Sequence, residues 1–292
     1  MRLFSWIKKK WIGYTCYSII FAVIMLYYLF PSEIFQNLLV LSAEKMVPTL
    51  DFSIKGVSPS FPSGLRLEQV GISKKGGENF DLFRADLLSF NVNIVSLIKK
   101  RYECLIISKA YGGDLTGNIL FKSKTIKGPY DISMDFSDID INKTALPLLF
   151  ERQLEAILNG TATYSGEREK SFREGEGQAD FIFTDVIVML QQPIFGLEMV
   201  ALDQVSLKTE LKNRKLILKN IEFSGDIMKG SMTGSISLSS NIMMSRINLK
   251  AIIEPLEGLD PTIKMLIQNT LKGGKLSFSI TGTIQAPQPN FT

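Results

Sequence analysis

The sequence predicts a mainly β protein: one N-terminal transmembrane helix, then a large antiparallel, curved β-sheet, built as a gutter or a sandwich, with two or three covering helices. Three observations predict it. Residues 11–30, WIGYTCYSIIFAVIMLYYLF, contain no charged side chain. Apolar and polar residues alternate with period two through much of the remainder. Breaks rich in Gly, Asn, Ser and Lys separate the alternating runs, as hairpin turns do.

Twenty residues at about 1.5 Å each span about 30 Å, the thickness of a bilayer's hydrocarbon layer. Trp11 and Tyr14 at one end and Tyr27 and Tyr28 at the other fit interfacial belts, with Phe21 and Ile24 between them and Phe30 closing the run before Pro31. A cleaved signal peptide fits less well, because the run exceeds a usual h-region and no small-x-small site follows it. Arg2, Lys8, Lys9 and Lys10 precede the run and no acidic residue occurs before Glu33. The positive-inside rule therefore puts residues 1–10 in the cytoplasm as a basic tail and everything after Pro31 across the membrane.

Residues 31–48 read as a juxtamembrane amphipathic helix, with Ile34, Leu38, Val40 and Leu41 on one side, Ser32 as N-cap and Pro48 as stop. Residues 49–292 form the β-rich domain, with two similar halves at 49–160 and 161–292 as one arrangement. In the first half Leu50, Phe52 and Ile54 alternate, as do Phe90, Val92 and Ile94. The Gly112-Gly113 pair marks a corner. Residues 143–159 read as a helix on the stripe Leu146, Leu149, Phe150, Leu154, Ile157 and Leu158, with Gly160 as its stop. The polar stretch GEREKSFREGEGQ after it reads as an exposed loop or hairpin tip, partly disordered and dispensable.

The second half alternates most clearly. Val205, Leu207 and Leu211 run into a turn at Asn213-Arg214, followed by Leu216, Leu218, Ile221 and Phe223. Residues 230–240, GSMTGSISLSS, set Met232, Gly234, Ile236 and Leu238 against Thr233, Ser235, Ser237 and Ser239, a strand with one dry and one wet face. Leu249 and Ala251, then Phe278 and Ile280, continue the dry face, with a helix between them at 261–271. About a dozen consecutive strands make an antiparallel meander.

Composition narrows the function. The chain has 33 basic and 29 acidic residues, so removing the four N-terminal basic ones leaves 29 against 29 and a neutral exported domain. Nucleic acid is not an expected partner, since Lys74-Lys75 and Lys99-Lys100-Arg101 are only short solvated runs. Cys16 lies in the span and Cys104 stands alone, which excludes an internal disulfide in the domain. The sequence has no histidine, which removes the commonest general base and metal ligand. Gly175-Glu176-Gly177 lacks the third glycine of a dinucleotide loop. Asp135, Asp138 and Asp140 lack the later glycine and glutamate of a calcium loop and suit turn-forming and capping roles instead. No enzyme, cofactor or metal is expected.

The open question is what the dry faces touch. A packed core and an open groove alternate alike. The candidate groove residues are Leu207, Leu218, Phe223, Ile236, Leu238, Leu249, Phe278 and Ile280. Small residues on the dry rows, Gly234, Ala251 and Gly282, favour a curved sheet with room inside.

Several segments resemble the type II secretion system protein N (GspN) family as found in deltaproteobacteria: SPSFPSGLRLEQVGI at 58–72, GPYDISMDFSDIDI at 128–141, ILNGTATYSG at 157–166 and KLSFSITGTIQAP at 275–287. Residues 87–117 further resemble AsmA-like envelope proteins. The first resemblance implies a non-enzymatic inner-membrane component of a type II secretion machinery, with other secretion components as partners. The second implies a lipid-binding or lipid-transfer groove that holds phospholipid or lipid A-type chains.

Overall fold

The computed structural model describes residues 3–61, 63–76, 81–99, 101–123, 128–149, 153–167, 172–194, 197–268 and 271–291; the side chains of 3–10, 12, 19, 23, 26, 98, 191–194, 266, 267 and 291 lie outside that description. Two helices lead, α1 at Leu3–Tyr28 and α2 at Ser32–Met46. The strands of the first half are β1 Leu50–Ser60, β2 Gly64–Lys74, β3 Asp81–Val92, β4 Tyr102–Ala110, β5 Gly113–Phe121, β6 Pro129–Asp140 and β7 Leu154–Glu167, with short helices α3 Ile94–Ile98 and α4 Leu146–Leu149 between them. The second half has β8 Glu176–Ile194, β9 Leu197–Lys212, β10 Lys215–Ser224, β11 Met228–Ser237, β12 Arg246–Pro255, α5 Pro261–Gln268, β13 Leu276–Gly282 and β14 Pro287–Phe291.

All fourteen strands belong to one antiparallel sheet whose spatial order is the sequence order, β1 to β14. Among the described residues no second sheet packs on it, so the sandwich alternative gives way to a single layer. The molecule exposes 19,619 Å². A compact monomer of 32.7 kDa would expose about 12,400 Å². The difference is the signature of an extended layer.

Two-residue turns with positive φ at both positions, Tyr111-Gly112 and Asn213-Arg214, close two of the hairpins. Bulges bend the sheet at Asp138 and Asp185, each with positive φ, and at Lys219, where the strand registers shift; Gln69 also has positive φ, with the register unchanged across it. The Asp138 bulge is latched by Asn159, whose Oδ1 accepts from the Asp138 N–H at 2.9 Å and whose Nδ2 donates to Asp138 Oδ1 at 3.2 Å.

The helix expected at 143–159 is not formed. Pro147 and Leu149 sit in the single turn of α4, and from Leu154 the chain is β7, with Leu154, Ala156, Leu158 and Ala162 on its apolar side. The apolar stripe that read as helical joins two segments of different period. The register decides against a helix, because β7 pairs along both edges, with β6 and β8, and a helix there would leave two strand edges without partners. Gly160 is not a helix stop but a strand residue at φ +149, where a Cβ would meet Asp180 O. The 160/161 division falls inside β7, and the sheet is continuous across it.

The helices do not form a second layer. Only α2 lies on the sheet among the described residues, where Leu39 and Phe30 pack on the cluster Val57, Leu67 and Val70. Ser32 is its first residue; the N-cap is Pro31, with no side-chain cap bond. Among the described residues, no helix is long and apolar enough to cross a membrane. Asp140 does cap, but a 3-10 turn at Ile141–Lys143 rather than a helix, accepting from the Asn142 N–H at 3.1 Å and pairing with Lys143 at 3.0 Å.

Both sheet edges are blunted. Along β1, Gln36 Nε2 of α2 donates to Ile54 O at 2.7 Å. In β14, proline has no N–H, so Gln288 and Asn290 must make the ladder to β13, and Pro287 and Pro289 turn toward the free edge. Replacing both with threonine restores donors there. Concentration-dependent self-association should appear by light scattering, and a variant that stays monomeric at every concentration contradicts the assignment. Gly234→Val, at φ +145 with Asn248 O against the new Cβ, should lower stability by about 1–3 kcal/mol in a denaturant titration.

Candidate functional site

The strand registers settle which side chains share a face. On β11, β12 and β13, Met232, Gly234 and Ile236 lie beside Ala251, Leu249 and Ile247, and Leu249 and Ala251 lie beside Ile280 and Phe278. Toward β10 and β9 the same row continues through Leu216, Leu218, Ile221 and Phe223, then Leu211, Leu207 and Val205. β8 adds Phe181 and Phe183, and β7 and β6 add Leu158, Ala162, Met134 and Phe136. Ile119, Ile106, Phe90, Leu67 and Val57 carry it to β1. One apolar face thus runs from β1 to β13, about 60 Å at about 4.8 Å per step.

Of the eight candidate groove residues, Leu207, Leu218, Phe223, Ile236, Leu249, Phe278 and Ile280 lie on this face by register. Leu238 lies just beyond β11, where its N–H donates to Arg214 O at 2.8 Å. Leu218 and Leu249 are buried at 7% and 8% exposure, while Leu207, Phe223, Ile236, Phe278 and Ile280 are half-buried. With no layer above them among the described residues, these side chains are covered chiefly by one another, and we take the apolar face as the concave one. The second-half residues were found by alternation. The first half of the groove, and its aromatic centre, were not.

That centre is a chain of rings: Phe136 meets Phe181 edge-on at 5.5 Å, Phe181 meets Phe183 at 6.3 Å, and Tyr130 lies 6.0 Å from Tyr164. Ile139, Ile141, Ala156, Leu158 and Val186 form the buried cluster beneath it. The segment that read as a dispensable loop closes the groove wall here. Phe172 stacks on Tyr164 at 4.4 Å, and the Tyr164 hydroxyl donates to Phe172 O at 3.0 Å. The Arg214 N–H donates to Arg173 O at 3.1 Å, and the Arg214 guanidinium pairs with Glu174. Residues 168–171 of that segment lie outside the described residues.

The convex face is mainly polar, with Leu105, Ile107, Ile182 and Ile252 exposed on it, and is cross-linked by ion pairs in register, Lys208 with Asp180 at 3.4 Å and Lys229 with Glu254 at 3.3 Å. Such exposed pairs contribute at most about 1 kcal/mol each. No cluster of three or more metal-binding side chains occurs among the described residues.

The anchor residues lie on or after α1. Trp11, Tyr14, Ile24, Tyr27 and Tyr28 expose more than half of their surface and Phe21 exposes 49%. Phe30 instead stacks on Phe35 at 4.7 Å and packs against the sheet. Arg2 and the side chains of Lys8, Lys9 and Lys10 lie outside the described residues.

Fold and face together define an open, single-layer antiparallel sheet with one continuous apolar face. Comparisons with protein families, with characterised proteins and with solved structures find no match.

Cys104 offers a probe of the concave face, being paired with Val92 and Ile119 in the apolar row. Burial pushes its thiol pKa up. At pH 7–8 less of it is thiolate than in a free cysteine, so a Cys16→Ser protein should react slowly with a maleimide and accelerate only above the ordinary thiol range, about 8.5. Reaction at the rate of a free thiol at pH 7 contradicts the buried placement.

Proposed function

We propose that the apolar concave face is a groove for the acyl chains of membrane lipids, in a non-enzymatic protein held by α1 in a bacterial inner membrane. Its N terminus is cytoplasmic and the sheet is periplasmic. The observation that carries this reading is one apolar face running from β1 to β13, with no second layer over it among the described residues beyond the β1–β2 end that Phe30 and α2 cover. Water on that face costs about 25 cal/mol for each Å² of apolar surface, and a hydrocarbon chain removes the cost without any directional contact. The half-buried state of Phe223, Ile236, Phe278 and Ile280 leaves surface for such a chain. Phospholipid and lipid A-type chains both have this chemistry. The AsmA-like character of residues 87–117 points the same way.

A second reading is a docking part of a type II secretion machinery. It draws on the GspN-like segments at 58–72 and 275–287 and on apolar loop tips such as Phe61, 79% exposed.

A photocrosslinking residue at Ile236 distinguishes the two in cells. A lipid adduct is the expected product. A protein partner as the sole adduct, together with lost exoprotein secretion and unchanged outer-membrane lipid, moves the assignment to the secretion machinery. Ile236→Asp places a charge in the middle of the groove and should strip co-purified lipid, with circular dichroism unchanged. Full lipid retention by that variant sinks the groove.

A further inference from the structure

Strand direction alternates, so the connections β1–β2, β3–β4, β5–β6, β7–β8, β9–β10, β11–β12 and β13–β14 all fall along one lip of the sheet, here the upper lip. The others fall along the lower lip. α2 runs antiparallel to β1: Glu44 pairs with Lys75 at the lower lip at 3.8 Å, Gln36 reaches Ile54 in mid-strand, and Phe30 packs near Val57. The end of α1 therefore meets the sheet at the upper lip.

That lip combines two features that the sequence scatters. Phe61, Val95, Phe172, Ile242 and Met244, from four different connections, are exposed by 53% or more. Lys99, Arg101, Lys122, Arg214, Lys215 and Arg246 are exposed on the same lip. The acidic residues at this lip are Glu167, Glu174 and Glu176 around the β7–β8 connection, where Glu174 pairs with Arg214 and Glu176 with Lys212, Asp131, which pairs with Lys122 at 2.8 Å, and Glu103 beside α3. The lower lip mixes Lys75, Lys143, Lys264, Lys272 and Lys275 with Asp140, Asp226, Glu257 and Asp260, and it also exposes Met46, Leu148 and Met265. What sets the upper lip apart is the exit of α1 there and the outward-built α3.

α3 is built outward. Asn93 Oδ1 accepts from the N–H groups of Val95 and Ser96, and Glu103 accepts from Ser96 Oγ at 2.6 Å, Asn93 Nδ2 at 2.9 Å and Asn118 Nδ2 at 2.9 Å. The polar side chains are turned to the protein, and Ile94, Val95 and Leu97 face out beside Lys99 and Arg101. That is the reverse of a helix meant to face water.

We propose that the upper lip seats on the anionic lipid surface of the membrane from which α1 emerges, with α3 and the Ile242–Met244 turn dipping into the interface and the lip cations against the headgroups. Charge complementarity selects an anionic surface, and the exit of α1 at this lip selects that membrane. The inference rests on α1 being the anchor. It is independent of whether the groove holds lipid, which the Ile236 adduct tests separately.

The full chain, carrying Cys16→Ser and Cys104→Ser and a fluorophore at Val95→Cys, Met244→Cys or Leu148→Cys, is reconstituted in vesicles of phosphatidylcholine alone or with phosphatidylglycerol, and quenching by a lipid-borne nitroxide is read. Leu148 is 60% exposed on the lower lip and serves as the comparison site. Labels at 95 and 244 should quench more strongly than at 148, and more with phosphatidylglycerol. Adding Lys99→Glu and Arg101→Glu should weaken the quenched fraction at 95, on the order of fivefold per lost cation. Equal quenching at 95 and 148, or no response to phosphatidylglycerol, overturns the proposal.

Discussion

Every strand pairs only with its neighbours in sequence, and that constraint shapes the rest of the molecule. A meander without a crossover keeps each strand beside its sequence neighbours, and here β1 and β14 are not paired, so the sheet stays open rather than closing into a barrel. The ladder is complete from β1 to β14, yet the apolar face has no opposing layer. The fold is held by backbone hydrogen bonds and by burial within the concave face rather than between two faces. The residues below 10% exposure are accordingly small or aliphatic, such as Ala85, Ala110, Ala251, Leu218 and Leu249, with Tyr164 the one ring among those described, while Phe223 and Phe278 stay half-covered.

A single layer has to manage its curvature and its edges. Positive-φ residues at Gln69, Asp138 and Asp185 supply local kinks, and Asn159 latches the middle one with two hydrogen bonds. At the edges the chain uses two different devices. A helix side chain takes up a β1 carbonyl, and prolines remove donors from β14. Both stop the ladder from extending into a second molecule. The ion pairs of the convex face sit where strands are in register, so they add to solubility and strand alignment more than to stability.

The same alternation of direction that builds the ladder sorts the loops onto two lips. Residues 183 positions apart, Phe61 and Met244, are set along one line, and so are Lys99 and Arg246. The Glu103 carboxyl, held below the ordinary range by bonds from Ser96 first and then Asn118, fixes α3 to that line. Because this pKa is depressed, the tether is complete at neutral pH and is lost as pH falls through the folded value. Groove, lip and anchor thereby share one geometry, with the concave face opening between the lips.

The sequence by itself determined the β class, the neutral domain charge, the uncharged run at 11–30 and the dry rows of the second half. Each of these depends on spacing along the chain, which period-two alternation and composition report directly. It misread 143–159, because a stripe assembled from one turn of helix and a strand imitates period 3.6, and only the unsatisfied edges of β6 and β8 show that β7 must be a strand. It also read residues 172–176 as idle, since a Tyr164–Phe172 stack has no local signature. Whether the dry face was a sandwich interior or an open surface was settled by tertiary structure alone. Alternation says which side chains share a face, but the presence of a covering layer, and the side to which each loop turns, depend on how the strands are ordered in space.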